Sequence, residues 1–217
     1  MLHEFLPAML FALSIQAVLV ISPGPGVMLV ISSALEHGRA HSIITALGIA
    51  CGSMLLVSSV VLGIAAVVTS NPMLLQIIRA VGAAFLLYLA YKAFASSRKP
   101  ISFGLNNKAE RRSTDYAKGW LQGFLLQVSN PKAIFGWLAI ASAGGIGNAP
   151  VWINVLFVFL AFLNSFLGHG LYGILLSLPK MREGYKRHKF WIEITLALFF
   201  TYAAYKLLSW VITGTGG

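Results

Sequence analysis

Charge is the scarcest property of this chain. Only 10% of its 217 residues are Asp, Glu, Lys or Arg, against 58% hydrophobic, where an average soluble domain has about 25% charged residues. An ordinary soluble globular protein is excluded. Negative charge is rarer still, with six acidic residues against sixteen Lys and Arg. Inside the long apolar blocks the one carboxylate is Glu193, at the start of the last block and beside Lys189, where it reads as interfacial. A divalent metal-ion exporter, the alternative among membrane carriers, wants several carboxylates there. Cysteine occurs once, as Cys51, which rules out an intrachain disulfide and a two-cysteine redox carrier. No phosphate-binding loop, catalytic triad or spaced metal cluster occurs, so neither an enzyme nor a cofactor is implied. Nucleic-acid motifs are lacking too, and the net charge of +10 needs another explanation. Met1 to Glu4 has no basic n-region and the apolar run after it is too long for a signal peptide, so no cleavage is expected.

What the chain does have is apolar blocks, each near the roughly 20 residues that cross a bilayer core. They run from about Phe5 to Leu35, Ser42 to Thr69, Pro72 to Ser97, Tyr116 to Ala143, Val151 to Leu178 and Phe190 to Ile212. Gly38 suits a helix C-terminus in the polar turn after the first block, and Ser70-Asn71-Pro72 ends one helix and starts the next. Gly48 and Gly52 make a small-xxx-small face for close helix approach; whether it serves packing within the chain or a homo-oligomer stays open. Lys and Arg concentrate in the loops after blocks one, three and five: Arg39, the Arg98 to Lys118 cluster, and Lys180 to Lys189. The turns after blocks two and four and the C-terminal tail hold none. The positive-inside rule then places those three loops in the cytoplasm and both termini outside. Arg79 and Lys206, within blocks three and six, can snorkel to an interface. The expected fold is an all-α membrane protein with six transmembrane helices. An odd number of spans in each half makes the halves, residues 1–97 and 117–217, inverted three-helix repeats joined by a basic linker at 98–116.

The first helix of each half is broken at proline. Ser22-Pro23-Gly24-Pro25-Gly26 interrupts block one, and Pro131 interrupts block four within Gln127 to Lys132. Proline removes a backbone donor, so Pro23, Pro25 and Pro131 leave the carbonyls of Leu19, Ile21 and Gln127 without helical partners. Irregular backbone survives at membrane depth only buried in protein or lining a wet cavity, and paired breaks in inverted halves point to a transporter's binding site. A break offers carbonyls to an ammonium group and helix N-terminal amides to a carboxylate. A zwitterionic amino acid presents both. Gly24 and Gly26 add backbone freedom and room. The competing reading is a kinked packing helix, since proline and glycine are common in membrane helices.

The candidate binding set is therefore Pro23, Gly24, Pro25, Gly26, Gln127, Asn130, Pro131 and Lys132. Lys132 at the midplane costs about 2.5 to 3.5 kcal/mol; it either receives a substrate carboxylate or neutralises the freed carbonyls. In block five Asn164, Ser165 and His169 share a helix face. His169 is a candidate proton carrier, titrating near neutral pH, or with Asn164 it makes interhelical hydrogen bonds worth about 0.6 kcal/mol each.

Ser22-Pro23-Gly24-Pro25, the run Gly82 to Ala93 (Gly-Ala-Ala-Phe-Leu-Leu-Tyr-Leu-Ala-Tyr-Lys-Ala), and Gly123-Phe124 through Asn130-Pro131-Lys132 together resemble the LysE/RhtB family of bacterial amino-acid exporters. The likeness spans essentially the whole chain. It implies export of amino acids or close derivatives across the bacterial inner membrane, driven by the proton gradient, with the amino acid and the lipid bilayer as partners. Two positions depart from the family pattern: Gly26 stands where Asn is frequent, and Asn164 where many members carry Asp. Asn cannot exchange a proton, which makes His169 a candidate substitute for coupling beside Asn164. The resemblance does not choose among basic, small polar and branched neutral amino acids.

Overall fold

In the computed structural model the described residues are 2–22, 24–64, 72–99, 115–142 and 149–213, and they are helical almost throughout. They form α1 (Leu2–Ile21), α2 (Pro25–His37), α3 (Arg39–Ser59) with a π-turn over Val60–Ile64, α4 (Pro72–Ser97), α5 (Tyr116–Ser129), α6 (Pro131–Ser142), α7 (Val151–Leu175) and α8 (Pro179–Thr213). Proline opens α2, α4, α6 and α8, the position where its missing N–H costs nothing and its fixed φ favours the helix. Gly38 separates α2 from α3 at φ 93°, with its N–H on the Ala34 carbonyl at 3.2 Å. That is the left-handed stop expected there. Asp115 caps α5, its carboxylate accepting from the Lys118 N–H at 3.1 Å. Ser70, Asn71 and most of the basic linker lie outside the described residues.

Among the described residues, five helices are long and apolar enough to cross a membrane: His3–Ile21, Arg39–Leu62, Arg79–Ser97, Val151–Leu175 and Pro179–Thr213. The block from Tyr116 to Ala143 is not one of them. The break at Asn130 divides it into helices of 14 and 12 residues, each about 20 Å long where a bilayer core needs about 30 Å. The basic stretch Pro179 to Lys189, expected as a loop, is instead the first three turns of the 35-residue α8. No proline follows Pro179 in that run, so nothing stops the helix.

The helices pack as pairs. α4 lies along α8, while α3 is held between α5 and α7. α1 touches α6 and α7, and α2 touches α3, α5 and α7. Lipid is as apolar as leucine, so association depends on close packing rather than on hydrophobic burial from water. The Gly48 and Gly52 face is spent on that packing inside the chain: a Cβ on Gly48 would overlap the Trp120 carbonyl, and one on Gly52 would sit 2.8 Å from Gln127 Cβ. Gly123 answers from α5, against the Thr45 carbonyl. Large apolar side chains such as Leu55, Phe159, Leu171, Leu198 and Tyr205 face outward, as a lipid-contacting surface requires. Two charged residues differ from expectation. Arg79 does not snorkel; it is 2% exposed with its guanidinium 5.8 Å from the Trp210 ring centroid. Glu193 is equally buried rather than exposed beside Lys189, because α8 begins well before it and carries it into the α4 contact.

Candidate functional site

Both helix breaks face one space. α1 keeps its pattern through Ser22, whose N–H reaches the Val18 carbonyl at 2.8 Å, and α2 starts when Met28 N–H bonds the Gly24 carbonyl at 3.0 Å. Gly24 between them is extended, at φ −169° and ψ −175°, a conformation open to any residue. Contrary to expectation, then, the glycines matter here for room rather than for unusual angles. A Cβ on Gly24 would come 3.2 Å from Lys132 Nζ, and one on Gly26 2.9 Å from His169 Nε2. Pro23 lies outside the described residues.

The carbonyls released by the first break are claimed from other helices. Pro25 cannot donate to Ile21, and the Tyr172 hydroxyl of α7 donates to that carbonyl instead, at 2.6 Å. Lys132 Nζ of α6 donates to the Ser22 carbonyl, also at 2.6 Å. In this state Lys132 does what the bland reading assigned to it, neutralising freed carbonyls while bordering the cavity. At the second break Asn130 is itself extended. Its N–H turns back to the Gln127 carbonyl at 3.3 Å, and its side-chain Oδ1 caps α6 by accepting from the Lys132 N–H at 3.0 Å. The amides opening α6 are thus occupied, whereas those opening α2 have no side-chain cap because their cap residue is Gly24.

The cavity, about 460 Å³ of empty space with its opening to solvent included, is bordered by both breaks and by α1, α3 and α7. Of the expected site residues, Gly24, Pro25, Gly26, Gln127, Asn130, Lys132 and His169 line it. Two do not. Pro131 faces the other side of the break, and Asn164 ties α7 to α1 through the Leu13 carbonyl at 3.2 Å and Gln16 Oε1 at 3.1 Å. Lining residues that sequence reasoning passed over are Gln16, Ser53 and Trp137. A polar chain runs through the wall: Gln127 Nε2 donates to Ser53 Oγ at 2.7 Å, and Ser53 Oγ lies 3.1 Å from Ser165 Oγ. His169 Nδ1 sits 2.9 Å from the Ser165 carbonyl. A carbonyl only accepts, so Nδ1 carries the proton and Nε2 keeps a lone pair on the cavity side, near Gly26.

The wall offers an amine in Lys132 and an acceptor nitrogen in His169, and no carboxylate lines it. With the uncapped α2 N-terminus adjoining, such a wall suits a ligand's negative group. Among the described residues, no three His, Cys, Asp or Glu side chains are placed to hold a metal ion.

Comparison with known proteins gives a consistent picture. The family model for the LysE type translocator matches residues 17–210, a stretch holding both breaks. A threonine efflux protein of Salmonella typhi is 27% identical over 199 residues, covering 90% of this chain and 95% of the relative. One from Escherichia coli strain K12 is 26% identical over 202 residues with the same coverage. The uncharacterized membrane protein YahN of that strain is 25% identical over 166 residues, 76% of this chain and 73% of the relative. No solved structure matches. With the match extending over nearly the whole sequence, the chain belongs to the LysE type translocator family and is a membrane transporter, not an enzyme.

Proposed function

We propose that this protein exports amino acids or close derivatives across the bacterial inner membrane, binding them in the cavity between the two helix breaks. One observation carries the reading: Lys132, the one Lys, Arg, Asp or Glu among the described residues lining the cavity, bridges from the second break to a carbonyl released by the first. A substrate carboxylate has a ready partner there, and the Ser22 carbonyl, which also borders the cavity, can pass from Lys132 to the substrate's ammonium group. The relatives named for threonine efflux put threonine first among the substrates.

The finer architecture belongs to the same proposal. Six spans, counted with α1–α2 and α5–α6 as one broken span each, form two inverted repeats over residues 1–97 and 117–217. The exchange of contacts between the halves supports it: α1 meets α6 and α2 meets α5, while α3 meets α7 and α4 meets α8. The distribution of Lys and Arg supports both termini outside. Export is coupled to protons, with His169 as the carrier, because its Nε2 lone pair borders the cavity. The test is uptake into everted membrane vesicles of a panel headed by threonine, with basic, small polar and branched neutral amino acids. The expected result is accumulation of at least one under an imposed pH gradient. Silence across the panel, in transport and in binding, would remove the reading.

A further inference from the structure

The breaks have a second side. Beyond Lys132, away from His169 and Gln127, about 890 Å³ of empty space opens between the break segments, α4 and α8. Ser22, Gly24, Pro25, Asn130 and Lys132 border both spaces, so the two broken helices are the partition between them. The second space holds the charge that the first lacks: Lys92 and Glu193 join Lys132 on its wall.

A carboxylate only 2% exposed within a membrane-spanning helix calls for a partner. Glu193 Oε1 accepts from the Ser96 hydroxyl at 2.9 Å, and Lys189 Nζ is 3.9 Å from the same oxygen. Lys189 is engaged elsewhere. Its ammonium donates to the carbonyls of Ser96 and Lys99 and to the Ser96 hydroxyl, closing the end of α4. Its separation from Glu193 exceeds the roughly 2.8 Å of a charge-assisted hydrogen bond. A carboxylate has about four acceptor positions, so these neighbours leave Glu193 capacity for a ligand's donors. Lys92, across the same space, is exposed, with its ammonium 5.6 Å from the Tyr88 ring centroid.

We propose that this space is a receiving site for the amino acid on the side of the basic loops. Glu193 takes the α-ammonium group and Lys92 the α-carboxylate, and Lys132 then draws the carboxylate across the partition. This assignment rests on the amino-acid export reading above. Glu193 is a selectivity residue in it, rejecting organic acids that lack an amine.

The experiment uses everted vesicles, in which the basic loops face the bath, and an amino acid that the unsubstituted protein transports. Two competitors are added from the bath: its 2-hydroxy acid, without the ammonium, and its amide, without the carboxylate. The unsubstituted protein should prefer the amino acid over the hydroxy acid by about tenfold or more. Glu193→Gln, which keeps an acceptor for Ser96, should bring that preference to within about twofold. Lys92→Gln should raise KM about tenfold and erase the preference over the amide, while the preference over the hydroxy acid persists. Lys92→Gln also stands alone should Glu193→Gln fail to insert. An unchanged preference in Glu193→Gln, or an unchanged KM and amide preference in Lys92→Gln, would overturn the receiving site while leaving export intact. No transport of any panel member by the unsubstituted protein would overturn the export reading itself.

Discussion

Lys132 joins the two halves of the site in a single hydrogen bond. A hydrogen bond from a Lys side chain contributes about 1.5–3 kcal/mol, so Lys132→Ala should reduce export at low substrate concentration by at least about tenfold. Protein recovered from the membrane fraction should be undiminished. His169→Gln, by contrast, should keep transport but flatten its pH dependence; export rates measured across a pH series decide it, and an unchanged profile would return His169 to packing. Both residues are legible in the sequence, because an ionisable side chain in an apolar run has to be accounted for. Tyr172 is not. Its ring reads as one more interfacial aromatic, and only the register of α7 against α1 brings its hydroxyl to the Ile21 carbonyl. Gln16 and Ser53 carried a fainter signal, as polar residues within apolar blocks. Asn164 shows the opposite limit: expected on one face with His169, it points to α1 while His169 lines the cavity.

The helices themselves follow their punctuation. Proline and glycine mark where α2, α4 and α6 begin and where α2 ends, and these boundaries can be read from residue type alone. Pairing between helices cannot. The small-residue face on α3 was visible, yet nothing local says that α5 is its partner or that Gly123 completes the contact. This contact yields a stability prediction. Gly48→Ala puts a methyl group into the Trp120 carbonyl, and overpacking of that kind costs about 1–3 kcal/mol; the melting temperature in detergent should fall. Gly170→Ala is the control. No atom lies within 4 Å of its added Cβ, and Ala in a helix gains about 0.5–1 kcal/mol over Gly, so its melting temperature should hold or rise. The start of α8 reads as a loop because its first eleven residues hold five Lys and Arg, whereas a helix needs only the absence of a breaker once packing holds its far end.

For the molecule as a whole, apolar length sets the number of crossings and loop charge sets their direction. The receiving space lies toward Lys99 and the basic start of α8, since Lys92 and Ser96 stand near the end of α4 while Lys189 and Glu193 sit on the adjoining part of α8. A reporter fused to the C-terminus should be active outside the cytoplasm; activity inside would reverse the orientation and the direction assigned to transport. The central claim, that substrate sits between the two breaks, has a direct test in a chain with a single cysteine. In a Cys51→Ser background, Ala133→Cys places one thiol on the cavity wall. An amino acid that this variant exports should slow labelling of that thiol by a small thiol reagent several-fold, with half-protection near its KM. Labelling at the same rate with and without the exported amino acid would contradict a binding site at the paired breaks.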